Sequence, residues 1–243
     1  MKKFRSRGIR IEKHNGNVIF SEKVYYEPDE KFLSDSFINR LIEKEKLQYF
    51  EYSENQYGDV DSLNFHNNLN MDELNNELYH NIENNGKDMI EKIVSVFDAS
   101  FKNYTIGYRL KDRKIIGESY YFYPTVWKEN RFGIKGITQK SKIIDYISKF
   151  VKEYIHLEDC CYEEIMEFQD MIEKFKGVSL TFFDYGNSFK IYARINQNAF
   201  YQFLRKAKYI DCIDKLNEYG ELVLVAMRIK NRKISGYNVY FLE

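Results

Sequence analysis

The chain has 243 residues, 44% of them hydrophobic and 30% charged, so it is long enough to bury a core and too apolar for a disordered chain. Its 37 basic and 37 acidic residues balance, which argues against attachment to nucleic acid or to an anionic membrane through overall charge. No run of about 18 apolar residues is present to span a membrane. The odd number of cysteines, two of them adjacent, favours a reducing compartment. We therefore expect a cytoplasmic protein without membrane contact.

The first half of the chain alternates hairpins with helices. Residues 8–28 form two alternating runs around Asn15-Gly16, which predicts a hairpin, and a helical stripe follows over residues 29–47. A less regular hairpin is predicted over residues 48–67. Helical spacing then extends over residues 69–97, with an interruption near Gly86.

The second half repeats this order. Hairpins are predicted over residues 104–124, 178–195 and 221–243, and helices over residues 141–155, 162–175 and 198–216. The chain then has five hairpins and ten strands. With two prolines and no evident linker, we expect a single domain over residues 1–243.

An internal repeat links two of the hairpins, because residues 108–123 match residues 227–242 at a constant offset. The shared pattern is a basic first strand, a basic turn, a glycine and a second strand that ends in Tyr-Phe. Repeated supersecondary units share one core, and closing the sheet removes its exposed edges. The pattern predicts an α+β fold in which a ten-stranded antiparallel barrel is surrounded by helices.

Side chains alternate along strands, so each hairpin has two distinct faces. One face is apolar and should meet the helices, with Ile9, Ile11, Leu63, Tyr108, Phe122, Phe189, Ile191, Val225, Met227, Tyr237, Val239 and Phe241. The other is polar, aromatic and basic, with Arg10, Glu12, Lys23, Tyr25, Asn64, His66, Arg109, Lys111, Ser119, Tyr121, Thr181, Phe183, Lys190, Tyr192, Arg194, Arg228, Lys230, Asn238 and Tyr240. In a closed barrel this second face lines a ligand chamber, whereas in an open sheet it is an ordinary solvated surface.

Five helix-linked hairpins with a Lys-x-Tyr ending on second strands resemble the PT-barrel, or ABBA-fold, aromatic prenyltransferases. The resemblance spans the whole chain, although this chain is shorter than the usual member and its second hairpin lacks the Lys and Tyr. It implies a lumen in which basic residues hold a prenyl diphosphate while tyrosines shield the allylic cation. The implied diphosphate ligands are Lys23, Lys190, Arg109 and Arg228, with Lys111, Lys230 and Arg194 as further candidates. The implied shield is Tyr25, Tyr121, Tyr192 and Tyr240.

Three residues are candidates for the catalytic base that orients the acceptor. Glu12 and Glu51 lie on predicted first strands, and His66 occupies a position equivalent to the shield tyrosines. Glu12 has a structural alternative as the ion-pair partner of Arg10 or Lys23, and His66 as a hydrogen-bonded wall residue.

We therefore predict an aromatic prenyltransferase that moves a prenyl group from an allylic diphosphate to an aromatic small molecule or a peptide side chain. Departure of diphosphate needs compensating positive charge, and the remaining carbocation needs π-faces and the exclusion of water. No DDxxD motif is present, so no cofactor is required by the prediction and Mg²⁺ is optional. The alternative is a noncatalytic protein that binds a protein partner or an anionic polymer such as single-stranded nucleic acid, against which the balanced net charge argues.

Overall fold

The computed structural model describes residues 3–14, 17–27, 33–44, 49–55, 57, 59–67, 88–93, 103–112, 114–123, 145, 147–183, 186–207, 209 and 211–242. The ten strands are Lys3–His14 (β1), Asn17–Glu27 (β2), Tyr49–Asn55 (β3), Val60–Asn67 (β4), Asn103–Lys111 (β5), Lys114–Tyr123 (β6), Ile172–Phe183 (β7), Gly186–Ile195 (β8), Glu221–Lys230 (β9) and Lys233–Leu242 (β10). They form a closed barrel in which each strand is antiparallel to its neighbours in the chain, and β10 pairs with β1. The predicted ten-stranded barrel is confirmed, and the open sheet is wrong.

Helices lie outside the barrel and cover its apolar face. The four α-helices with defined bounds are Ser36–Lys44 (α1), Tyr162–Asp170 (α2), Gln197–Lys206 (α3) and Asp211–Leu216 (α4). Residues 88–93 and 147–150 are also helical, and a π-helical turn follows at Val151–Ile155. The helix predicted over residues 69–82 lies outside the described residues. Among the helices that are described, none has the length and apolar character needed to cross a membrane.

Two predicted helices differ from the structure. The helix expected over residues 162–175 ends at Asp170, because the chain from Ile172 onward pairs with β8 as strand β7. Two register shifts in this part of the β7–β8 pair break the two-residue alternation that marks a strand in sequence. The helix expected over residues 198–216 is two helices, α3 and α4. Asn196 begins α3, and its side chain accepts hydrogen bonds from two backbone N–H groups of the first turn.

Tyr237 of β10 anchors the helices to the outer face of the barrel. Its fully buried ring lies 6.0 Å from the ring of Phe168 on α2 and 5.6 Å from that of Phe203 on α3, measured between centroids. Its hydroxyl donates a hydrogen bond to Oε1 of Glu164 at 2.6 Å. Because neighbouring side chains of a strand point to opposite faces, this anchoring directs Asn238 into the barrel.

The repeat found in the sequence also holds in the backbone. Arg109 is opposite Gly117 in the β5–β6 hairpin, and Arg228 is opposite Gly236 in the β9–β10 hairpin. In both hairpins the register shifts just on the turn side of this pair. At Gly236, where φ is 134°, a Cβ atom would lie 1.9 Å from the carbonyl oxygen of Ile11. The glycine therefore allows β1 and β10 to approach and close the barrel.

Candidate functional site

The barrel encloses a cavity of about 320 Å³ towards the hairpin-turn ends of its strands. This volume is at the small end of the range for ligand sites. Its lining contains six basic side chains and two carboxylates. We refer to five of the basic residues, Arg10, Lys23, Arg109, Lys190 and Arg228, as the cation layer. The remaining lining residues are Glu12, Asp61, Leu110, Ile116, Thr181, Phe183, Ser188 and Lys230.

The cation layer draws each of its members from a different strand, namely β1, β2, β5, β8 and β9. Lys190 and Arg228 are direct partners across the β8–β9 pair. Lys190 is 5% exposed, Lys23 6% and Arg228 8%. Burying charged groups costs several kcal/mol for each ion unless anions compensate it. The cation layer therefore destabilises the fold, and such destabilising charged clusters are typical of functional sites.

Within the part of the chain that the structure describes, two of the five cations have acidic partners. Lys23 pairs with Asp61, and Arg228 pairs with Glu12 through both charge and a hydrogen bond. Burial opposes ionisation of both carboxyl groups, but the adjacent cations outweigh it and hold each pKa below its usual value. Both carboxylates are therefore ionised at neutral pH. They neutralise part of the cation layer and leave an excess of positive charge.

Asp61 reaches the cavity because of a β-bulge in the β3–β4 pair. Ser53 is opposite Ser62, whereas the next residue of β3, Glu54, is opposite Val60. Asp61 is therefore the extra residue of the bulge, and its side chain joins that of Ser62 on the inner face. Ser53 fixes it there by donating a hydrogen bond from Oγ to Oδ1 at 2.6 Å.

Both lysines of the cation layer have a pKa below that of an ordinary lysine. Burial, together with the charge of Arg10, lowers the pKa of Lys23 to about 7 despite the opposing effect of Asp61. Burial also lowers the pKa of Lys190 well below its usual value, and the charges of Arg109 and Arg228 add to the effect. No ion pair within the described part of the chain includes Lys190. Its amine is accordingly neutral more readily than that of an ordinary lysine.

Three buried polar atoms on neighbouring strands have no hydrogen-bond partner among the described residues. They are Nε of Arg10 on β1, Oδ1 of Asn238 on β10 and Nε of Arg228 on β9. Arg10 is opposite Asn238 in the β1–β10 pair, so the three side chains share one wall of the barrel. Leaving a buried polar group unsatisfied costs about 1–3 kcal/mol. An anion in the cavity would satisfy the two Nε–H donors.

Four tyrosines, Tyr25, Tyr121, Tyr192 and Tyr240, form a second layer inside the barrel, which we refer to as the tyrosine layer. The ring centroids of Tyr25 and Tyr240 are 6.0 Å apart, and those of Tyr121 and Tyr192 are 6.2 Å apart. Nη2 of Arg109 donates a hydrogen bond to the hydroxyl of Tyr121 at 2.6 Å, which connects the two layers. None of these four rings lines the cavity, and the tyrosine layer lies further from the hairpin turns than the cation layer.

The structure brings most of the predicted site residues together but leaves two outside. Lys111 and Arg194 are exposed, and Arg194 approaches Glu173 on β7 to 4.0 Å. Lys230 and Glu12 line the cavity. The backbones of Glu51 and His66 belong to β3 and β4, but their side chains lie outside the described residues. Asp61 is the charged lining residue that the sequence did not predict, and Leu110, Ile116 and Ser188 are the uncharged ones.

No protein-family model matches the chain, and no curated protein matches it either. Among the described residues, no group of three or more His, Cys, Asp and Glu side chains is arranged to hold a metal ion. The chemistry of the cavity therefore guides the functional assignment. Its surplus of buried positive charge suits a small ligand with several negative charges.

Proposed function

We propose that the protein is an aromatic prenyltransferase that binds an allylic diphosphate inside its barrel. The observation that supports this most directly is the excess of buried positive charge above a layer of four tyrosines in one closed barrel. Basic residues suit a diphosphate, and aromatic faces suit an allylic group that becomes cationic. The two residue types meet where Arg109 contacts Tyr121.

The cation layer would act on the leaving group. The bond between C1 of the allylic group and the diphosphate oxygen breaks, and the electron pair leaves with the diphosphate. Lys190, Arg10 and Arg228 would stabilise the charge that develops on that oxygen, because they are fixed in a largely buried site. The permanent charge of an arginine is suited to this role at any physiological pH.

The aromatic residues would act on the cationic fragment. At the mouth of the cavity, the ring of Phe183 already faces a cation, since Nζ of Lys230 lies 5.8 Å from its centroid. The tyrosine layer would supply further rings next to the cation layer, to which the contact between Arg109 and Tyr121 connects it. A carbon atom of the aromatic acceptor attacks the allylic cation, and the ring then loses a proton to a base. Glu12 is the candidate base whose ionised carboxylate lines the cavity.

The decisive experiment combines binding with turnover. Isothermal calorimetry with inorganic diphosphate, dimethylallyl diphosphate and geranyl diphosphate measures occupation of the cation layer. Incubation of the same donors with aromatic acceptors and tyrosine- or tryptophan-containing peptides, followed by mass spectrometry, detects transfer of one prenyl group. We expect micromolar binding and a prenylated product. If none of the three diphosphates binds, the proposal is refuted.

A noncatalytic role is the second candidate, because the cation layer would serve any phosphorylated ligand. Diphosphate binding without transfer to any acceptor would favour this role. Binding of single-stranded RNA or DNA that weakens steeply with salt would favour a polymer ligand. The enclosed position of the buried cations speaks for a small ligand, since a polymer needs a groove with stacking faces along its length.

A further inference from the structure

We propose that anion binding in the barrel is coupled to proton uptake by Lys190, so that the affinity of the site for diphosphate falls as the pH rises. This inference rests on the binding step of the proposed function and is independent of the transfer reaction. It assigns Lys190 a role different from that of the arginines around it: they hold a constant charge, whereas Lys190 gains its charge together with the ligand.

The surroundings of Lys190 carry the inference. Its side chain is buried and directly opposite that of Arg228. The described charged groups that line the same cavity are, strand by strand, Arg10 and Glu12 on β1, Lys23 on β2, Asp61 on β4, Arg109 on β5, and Arg228 and Lys230 on β9. The side chains across the β7–β8 pair, Ser179 and Thr181, are uncharged. Asp61 is already paired with Lys23, and Glu12 with Arg228.

An ammonium group at this position would add another cation to a buried cluster. Desolvation disfavours it, and so do the charges of Arg109, Arg228, Arg10 and Lys23, in that order. In the free protein the pKa of Lys190 is therefore well below that of an ordinary lysine, which favours the neutral amine. A ligand that brings about three negative charges, as a diphosphate monoester does near neutral pH, reverses the sign of the local field. Protonation of Lys190 then becomes favourable, and the ammonium group binds the ligand.

The unsatisfied donors provide a second, independent reason to place the anion beside Lys190. Nε of Arg228 is buried and has no hydrogen-bond partner among the described residues, and the same holds for Nε of Arg10. Arg228 as a whole is 8% exposed. Both N–H groups belong to residues that line the cavity with Lys190. An anion that satisfies them lies within the same cluster as the amine that takes up the proton.

Linkage gives the size of the effect. Where the free protein holds Lys190 neutral and the complex holds it charged, each complex takes up one proton, and the affinity falls by up to about tenfold for each pH unit. Lys23, whose pKa of about 7 already includes the effect of Asp61, also takes up a proton above pH 7, so the contribution of Lys190 is the difference between the wild type and the Lys190 variants. The arginines contribute nothing to the pH dependence, because they remain protonated throughout.

Calorimetry tests this with two probes. Titration of the wild-type protein with sulfate at pH 8, in two buffers of different ionisation enthalpy, gives the proton uptake directly, because sulfate does not titrate in this range. Titration with inorganic diphosphate is then compared between the wild type and two variants. Lys190→Arg keeps a permanent charge, and Lys190→Met has none. The matched control is Lys152→Met, which removes an exposed lysine that does not line the cavity.

We expect the wild type to take up close to one proton more than either Lys190 variant, and the control variant to take up as much as the wild type. Between pH 7 and pH 9 the affinity of the wild type should fall at least tenfold more than that of Lys190→Arg, because the titrations of Lys23 and of diphosphate itself are common to both proteins. Equal uptake in the wild type and Lys190→Arg overturns the inference and leaves the proposed function standing. If the variants do not fold, zero uptake with sulfate in the wild type overturns it. Failure of the wild type to bind either anion overturns both proposals.

Discussion

Lys190 and Arg228 are opposite each other across the β8–β9 pair, with both side chains buried in the barrel. Because folding buries the Lys190 amine beside Arg228 and disfavours its protonated form, which the unfolded chain keeps at pH 7, we expect Lys190→Met to raise the free energy of unfolding by about 1–3 kcal/mol at pH 7. The same change should weaken diphosphate binding. Urea denaturation and calorimetry measure the two effects. The exposed Lys152→Met is the control, with a change within about 0.5 kcal/mol. A strongly destabilised Lys190→Met would contradict this view.

Lys23 predicts how stability depends on pH. In the unfolded chain its amine keeps the proton up to its ordinary pKa of 10.5, whereas burial lowers the pKa to about 7 in the folded barrel. Between these values the unfolded state binds more protons, so raising the pH favours the folded state, by up to about 1.4 kcal/mol per unit. Denaturation of the ligand-free protein between pH 7 and pH 10 should show this rise. It should be weaker in Lys23→Met, and equal slopes would refute the assignment.

The Lys23–Asp61 pair should be costly to break from one side. Asp61→Asn leaves Lys23 buried beside other cations, and we expect a loss of about 3 kcal/mol at pH 6, where the amine is protonated. The double variant Lys23→Met/Asp61→Asn should recover at least half of this loss, and a double-mutant cycle measures the coupling. The exposed pair Lys149–Glu153 is the comparison, since Glu153→Gln should cost less than about 0.5 kcal/mol. Simple additivity at Lys23 and Asp61 would contradict the pairing.

Two glycines should differ in how well they tolerate alanine. At Gly8 a Cβ atom would lie 3.3 Å from Cε2 of Tyr25, so the ring has to shift slightly and we expect a loss of about 1 kcal/mol. At Gly236 the Cβ atom would overlap the backbone of Ile11 at a positive φ, so Gly236→Ala should cost more than about 3 kcal/mol or prevent folding. Thermal unfolding ranks the two variants. A milder effect at Gly236 would show that β1 and β10 do not need this approach.

The tyrosine layer predicts a difference between two substitutions at Tyr192. If its ring face stabilises the allylic cation, Tyr192→Phe should retain most of the transfer rate, whereas Tyr192→Leu should lose about tenfold or more. Product formation under saturating donor measures the rate, and calorimetry should show unchanged diphosphate affinity in both variants. Equal rates for the phenylalanine and leucine variants would rule out the π-shield.

Much of the barrel interior follows from strand alternation. The two-residue period places Lys23, Lys190 and Arg228 on the face opposite the helix-packed residues, and the structure has them there. Alternation predicts the face of the strand on which a side chain lies, but not whether that residue is close enough to the middle of the barrel to line the cavity. Arg194 has the inward parity of Lys190, yet it lies too far along β8 to reach the cavity and is exposed.

The features that the sequence did not predict depend on backbone irregularities, which have no clear sequence pattern, or on closure of the barrel. Asp61 points inward only because of the bulge opposite Ser53, and simple alternation assigns it to the outer face. The start of β7 at Ile172 was hidden in the same way, since shifts in register interrupt its alternation. Lys190 is buried among cations only because the barrel closes, since those cations lie on strands that are far apart in the chain.

The pairing of β1 with β10 also has a consequence for biosynthesis. Its partners, such as Ile9 and Val239, are almost the whole described chain apart, so the ring of strands cannot be completed until β10 has left the ribosome. Until then β1 offers one unpaired edge, and so does the last strand made. Pairing of such distant segments is slow to form. We therefore expect the nascent chain to depend on chaperones during synthesis. Pairing of β10 with β1 then covers the two exposed strand edges.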